Sequence, residues 1–164
     1  FDLVNINGEE LVTNYISHRL KSGIIIGFEF IKEKNVIGFS NSAFRAELIP
    51  EKLSIPQDVA VVDWFFYTLL LHAGHKAVFS NEMITYYRQY SDNMIGINNE
   101  TLDNYKKKLA LKAMHYRYLS SSFTEFEELA KKYSKEKNLT DIQVSTLLQN
   151  NKITYPLWWE NIKI

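Results

Sequence analysis

Hydrophobic positions follow one spacing up to about residue 98 and another beyond it. In the first part, residues 1–6 alternate enough for a strand, and Asn7-Gly8 marks a turn. Asn7 with Glu10 also fits a helix cap and its reciprocal partner. Leu11, Tyr15, Ile16 and Leu20 then share one helical face, with Gly23 just past its end. Ile24–Ile31 is apolar and β-branched and reads as a strand or buried loop, Asn35–Ser40 as a short strand, and Phe44–Leu48 as a short helix. Pro50 and Pro56 bracket a loop.

The segment Asp58–Ala73, built around WFFYTLLL, is apolar on all sides and predicts a helix covered by other elements, ended by Gly74. Ala77–Ser80 and Met83–Tyr87 are strand candidates, and a polar loop runs from Tyr86 to Gly96. Past Asn98 the period is helical throughout. Leu102, Tyr105, Leu109, Ala113 and Tyr116 make one apolar stripe. Phe123, Phe126, Leu129, Ala130 and Tyr133 make a second, opened by Ser122 with Glu125 three residues on. Thr140 and Gln143 form another capping box, with Leu139 and Val144 placed as a hydrophobic staple. Pro156, Trp158 and Trp159 close the chain. These elements predict a mixed α+β fold, with a chemical part over 1–97 and a helical cover over 98–164.

Composition narrows the function. With 19 basic and 19 acidic residues the net charge is zero, which argues against a nucleic-acid partner. The chain has no cysteine, which removes disulfides, thiol catalysis and zinc–thiolate sites. The apolar runs Ile24–Ile26 and Trp64–Leu71 are too short to span a bilayer, and the N-terminus lacks a signal-peptide pattern. These features fit a cytoplasmic protein, with the inner membrane face as a further possibility. Ten Tyr, ten Phe and three Trp supply a core and also the kind of surface that lines sugar and base pockets.

Three constellations could carry chemistry. Val62-Asp63-Trp64-Phe65 puts an acid at the head of a buried helix, where the helix dipole favours it. The same acid could be a general base, which needs only to reach a hydroxyl proton and be held still; Trp64 would then offer a flat surface to a sugar ring. The loop from Tyr86 holds Arg88, whose guanidinium forks onto phosphate oxygens, although an ordinary polar loop reads the same way. Asn35–Arg45 could place Ser40 and Asn41 at a pocket, or simply cap the helix at Phe44. His72 and His75 are separated by the helix-ending Gly74, so they do not form a metal pair. His18 and His115 read as solvated or packed, and Lys106–Lys108 as a solvated face.

Order and spacing say more than any one motif. NVIGFSNSAFRAEL, then PQDVAVVDWFF, then AGHKAVFSNEMITYYRQYSDNMIG resembles the C-terminal part of family 2 glycosyltransferases of GT-A fold, in particular the bacterial rhamnosyltransferase-like branch that builds surface polysaccharides. The likeness covers about residues 35–97. It implies Asp63 as catalytic base, Trp64 beside the acceptor, Ser40 and Asn41 on the acceptor-side turn, and Arg88 and Gln89 closing near the donor diphosphate. Val62 stands where many relatives carry Glu or His, and Tyr90 where they carry His.

The chain also has no Asp-x-Asp. It starts on Phe1, and on this reading is a fragment lacking the nucleotide-binding half. The parent would use a nucleotide-sugar donor, a saccharide acceptor and Mg²⁺ or Mn²⁺. This chain alone would bind no metal and be inactive, and could dimerise through surfaces that the missing half would cover. A non-catalytic helical interaction domain and a sugar-binding module without turnover are the competing readings.

Overall fold

A computed structural model describes residues 1–90 and 101–150. Its elements in chain order are β1 (Asp2–Val4), β2 (Glu10–Val12), β3 (Ile25–Ile26), α1 (Phe28–Ile31), α2 (Val62–His72), β4 (Ala77–Val78), β5 (Tyr86–Arg88), α3 (Leu102–Ser120), α4 (Glu127–Glu136) and α5 (Asp141–Asn150). The fold is mixed α and β, as the pattern predicts. One sheet runs β2-β1-β5, antiparallel between β1 and β2 and parallel between β1 and β5; β3 and β4 form a separate antiparallel pair. None of the described helices is long and apolar enough to cross a membrane.

The N-terminal region departs most from its prediction. Asn5 Oδ1 accepts the backbone N–H of Asn7 and of Glu9, each at 2.9 Å, and Gly8 takes φ 87°. That closes a tight turn, and the chain returns along β1 as β2. No Asn7–Glu10 cap and no helix through Leu11 form; a single 3₁₀ turn, Tyr15–His18, follows instead. Tyr15, Ile16 and Leu20 are still buried, while Leu11 is exposed on the strand. Asn35–Ser40 likewise forms no strand: it is a buried extended segment ending in a 3₁₀ turn at Phe39–Asn41. The helix predicted at Phe44–Leu48 is one 3₁₀ turn, Ala46–Leu48.

The C-terminal helices follow their periodicity more closely. α2 buries Trp64, Phe65, Phe66, Tyr67, Thr68, Leu70 and Leu71, nearly its whole circumference, and Gly74 ends it at φ 95°. It starts four residues later than predicted, because Asp58 stays outside and pairs with Arg117 and Tyr118 of α3. Thr101 caps α3 through the N–H of Asn104. The Thr140–Gln143 capping box forms reciprocally, with Val144 buried beneath it. The box at Ser122–Glu125 does not form; the Glu125 carboxylate meets His72 instead, at 3.3 Å.

A single apolar core runs from Leu3 through α2 to Leu109, Tyr116, Phe126 and Tyr133, so the chemical part and its helical cover share one interior. Tyr116 ties them further by donating its hydroxyl to the Lys32 carbonyl at 2.7 Å. The polar run Ser91–Gly96 and the closing Pro156, Trp158 and Trp159 lie outside the described residues.

Candidate functional site

The site is built where the extended segment Asn35–Gly38 crosses the first turn of α2. Asp63 lies in that turn, partly covered. Its Oδ1 accepts the Trp64 backbone N–H at 2.7 Å and the Asn35 Nδ2–H at 3.2 Å. Its Oδ2 faces Gly38: a Cβ built on Gly38 would stand 3.4 Å from that oxygen and 3.0 Å from Asn41 Oδ1. Gly38 is extended, at φ −96° and ψ 155°, so the backbone there would accept any residue. The near approach of two polar side chains is what favours the missing side chain.

The 3₁₀ turn after Gly38 is held by side chains. Gly38 N–H donates to Asn41 Oδ1 at 2.7 Å, which turns the Asn41 amide nitrogen away from Gly38. Ser42 Oγ lies 2.5 Å from the Gly38 carbonyl, to which it donates, and 2.6 Å from the Tyr67 hydroxyl. A serine hydroxyl has one proton, so Tyr67 donates to Ser42. Tyr67 is one helical turn beyond Asp63, which places both side chains on the same face of α2.

Burial raises the proton affinity of Asp63 above that of an ordinary carboxylate, and the Trp64 and Asn35 hydrogen bonds work against that rise. Tyr67 and Tyr87 are shifted up as well, by burial first and then by the negative charge of Asp63. Two phenols and a carboxylate therefore share one neighbourhood, with amide and hydroxyl groups around them.

The residues expected from the sequence are distributed unevenly over this site. Asp63 and Asn41 come together across Gly38. Ser40 is exposed on the same turn, whose hydrogen bonds fall to its neighbours Asn41 and Ser42. Trp64 requires a correction: it is 0% exposed, its indole N–H donates to the Ile31 carbonyl at 2.7 Å, and its ring stacks on His115 at 3.9 Å. It is a core residue and presents no face to a sugar.

Arg88 also sits elsewhere. Side chains alternate along β5, and it is Tyr87 that turns inward, within reach of the Asp63 charge. Arg88 is exposed and donates to the Ile6 carbonyl at 2.6 Å. Gln89 extends the pairing with β1 through its backbone N–H to Val4, and its buried Nε2 has no partner among the described residues. Asn35, Gly38, Ser42, Tyr67 and Tyr87 are site residues that sequence reasoning did not single out. Helical spacing from Asp63 could have flagged Tyr67, and strand alternation from Arg88 could have flagged Tyr87. Nothing local marks Asn35.

The described residues gather no group of three His, Asp or Glu side chains able to hold a metal ion. Compared with protein-family models, with curated proteins and with solved structures, the chain matches none of them.

Proposed function

We propose that this chain is the acceptor-side part of a nucleotide-sugar-dependent glycosyltransferase in which Asp63 is the general base. The observation that carries the reading is the state of Asp63. One carboxylate oxygen is held by two donors, the other lies beside Gly38 and the Asn41 amide, and the group binds a proton more readily than a free carboxylate. A base near a hydroxyl is most effective when its own proton affinity is raised and its position is held.

In the proposed step a saccharide acceptor hydroxyl gives its proton to Asp63. The hydroxyl oxygen forms a bond to the anomeric carbon of the donor sugar. The bond from that carbon to the diphosphate breaks, and the electron pair leaves with the nucleoside diphosphate. Asn41 and Ser40, on the turn beside Gly38, would hydrogen-bond neighbouring hydroxyls. A divalent cation would serve the leaving diphosphate, and its ligands would come from the parent's other half. Trp64 takes no part beyond fixing α2.

The test is Asp63→Asn in the full-length parent, supplied with nucleotide-sugars, saccharide acceptors and Mg²⁺ or Mn²⁺, following nucleoside diphosphate release. Loss of a general base predicts a fall of about 10²–10⁴-fold in kcat with donor binding kept, because the base acts on the transition state. Transfer at the wild-type rate in the variant would overturn the reading.

A further inference from the structure

We propose that Asn35 is a positioning residue for Asp63: it grips carboxylate Oδ1 so that Oδ2, on the Gly38 side, is the atom that receives the proton. The inference rests on Asp63 acting as a base and says how that base is oriented.

Asn35 is 2% exposed and 28 residues away from Asp63 in sequence, so their meeting is a product of the fold. Its amide is used one-sidedly. Nδ2 donates to Asp63 Oδ1 at 3.2 Å, while Asn35 Oδ1 is buried and has no hydrogen-bond partner among the described residues. A buried carbonyl without a donor is a cost that most folds avoid. Turning the amide over would point its oxygen at an ionised carboxylate, two acceptors face to face, and would lose the one hydrogen bond the side chain makes. The orientation that is kept serves the carboxylate at the amide's expense.

The second donor to the same oxygen, the Trp64 N–H at 2.7 Å, is backbone and belongs to the helix start. Trp64 is itself locked by its indole bond to Ile31. Asp63 Oδ1 thus has two fixed donors, from two separate segments. Oδ2 has no hydrogen-bond partner among the described residues and lies 3.4 Å from where a Gly38 Cβ would stand. A carboxylate held at one oxygen by two donors has little freedom to rotate, so the basic lone pairs left for a substrate are those of Oδ2. Proton uptake there leaves both Oδ1 hydrogen bonds intact, and the base can be reset without moving the amide.

The experiment is an NMR titration of this chain, following the Asp63 carboxyl carbon, the Trp64 amide and the Asn35 side-chain NH₂. In the wild type all three are expected to titrate with one midpoint, above the ordinary carboxylate value. Asn35→Leu, similar in size but without a donor, should raise that midpoint by roughly one to two pH units, the usual worth of one hydrogen bond to a charged group. Asn35→Ser, with a shorter donor, should fall between them. An Asn35 NH₂ signal insensitive to the Asp63 titration would overturn the proposal, and needs no variant to fold. An unchanged midpoint in folded Asn35→Leu would do the same.

In the parent enzyme Asn35→Leu should lower kcat, leave the acceptor KM unchanged, and move the acid limb of the rate profile upward by the shift seen in the titration. Failure of the base reading would look different. The Asn35–Asp63 link would be intact by NMR while Asp63→Asn still transferred sugar, and the positioning role would fall with it.

Discussion

Replacing His115 with Phe should stabilise the protein, and the gain should grow as the pH falls. His115 is 3% exposed on α3 and stacks on Trp64 with centroids 3.9 Å apart and planes 10° from parallel. Neither ring nitrogen has a hydrogen-bond partner among the described residues. Burial, and after it the charge of Lys112, lowers its pKa from 6.5 to about 3. A buried polar group without a partner costs roughly 1–3 kcal/mol. A phenyl ring keeps the stack and removes that cost, at some expense in packing because it is slightly larger. The net gain at pH 7.5 should be about 1–2 kcal/mol.

The pH-dependent part is independent of packing. Between pH 6.5 and pH 3 the unfolded His115 takes up a proton that the folded one refuses. Wild-type stability therefore rises with pH across that window, and the contribution of this group levels off on either side of it. At pH 4.5, two units below the unfolded value, this term is worth roughly 3 kcal/mol, from 1.36 kcal/mol per unit. Urea unfolding of both proteins at pH 7.5, 6.0 and 4.5 measures it. The difference between them should widen by roughly 3 kcal/mol from the first pH to the last. A difference that stays constant would refute the reasoning, because it would mean that His115 is charged in the fold or reaches solvent.

Two further outcomes follow from the same structure. Lys112 is 5% exposed, its ammonium lies 5.1 Å from the Tyr133 ring centre, and burial lowers its pKa from 10.5 to about 7 against the pull of Glu136 and Glu33. The unfolded chain thus holds the extra proton above pH 7, so wild-type stability should rise by about 2 kcal/mol between pH 7 and 9. Lys112→Met should flatten that rise in denaturant titrations; an equal rise in the variant would count against a buried, neutralised lysine. Gly38→Ala fits the backbone but sets a methyl 3.0 Å from Asn41 Oδ1 and 3.4 Å from Asp63 Oδ2. Its stability should stay within about 1 kcal/mol of wild type by thermal unfolding. Its Asp63 carboxyl should titrate higher still, from added desolvation; a lower midpoint would show that the methyl does not shield Oδ2.

The site residues show how unevenly a chain reveals its chemistry. Asp63 was visible because an acid before WFFYTLLL is out of keeping with the apolar run that follows. Its neighbour Trp64 is less legible: a helix that is apolar all round gives no phase, so nothing local says which way the indole points. The phase came from outside, in the Ile31 carbonyl that takes the indole proton and the His115 ring that covers it. Arg88 and Tyr87 are a parallel case. They are adjacent and opposite in direction, and only the pairing of β5 with β1 decides which of the two faces Asp63. Asn35 carried no signal, since its partner is 28 residues away.

The sequence by itself determined the later helices, the stop at Gly74, the capping box at Thr140–Gln143 and the mixed α+β character. Each of these rests on side chains within four residues of one another, and short-range hydrogen bonds and periodicity are written directly in the chain. The tertiary structure decided what local information left balanced. Leu11, Tyr15, Ile16 and Leu20 fit a helical face, yet Asn5 and Gly8 close a turn that lets β1 claim the following residues as a strand, and long-range pairing outweighs local period. It also decided that Lys112 and His115 lie inside, where α4 packs over α3 and the charge of one and the ring nitrogens of the other lose their water. And it brought Asn35 and Gly38 against Asp63, one to hold an oxygen and the other, having no side chain, to let the second oxygen and the Asn41 amide come close.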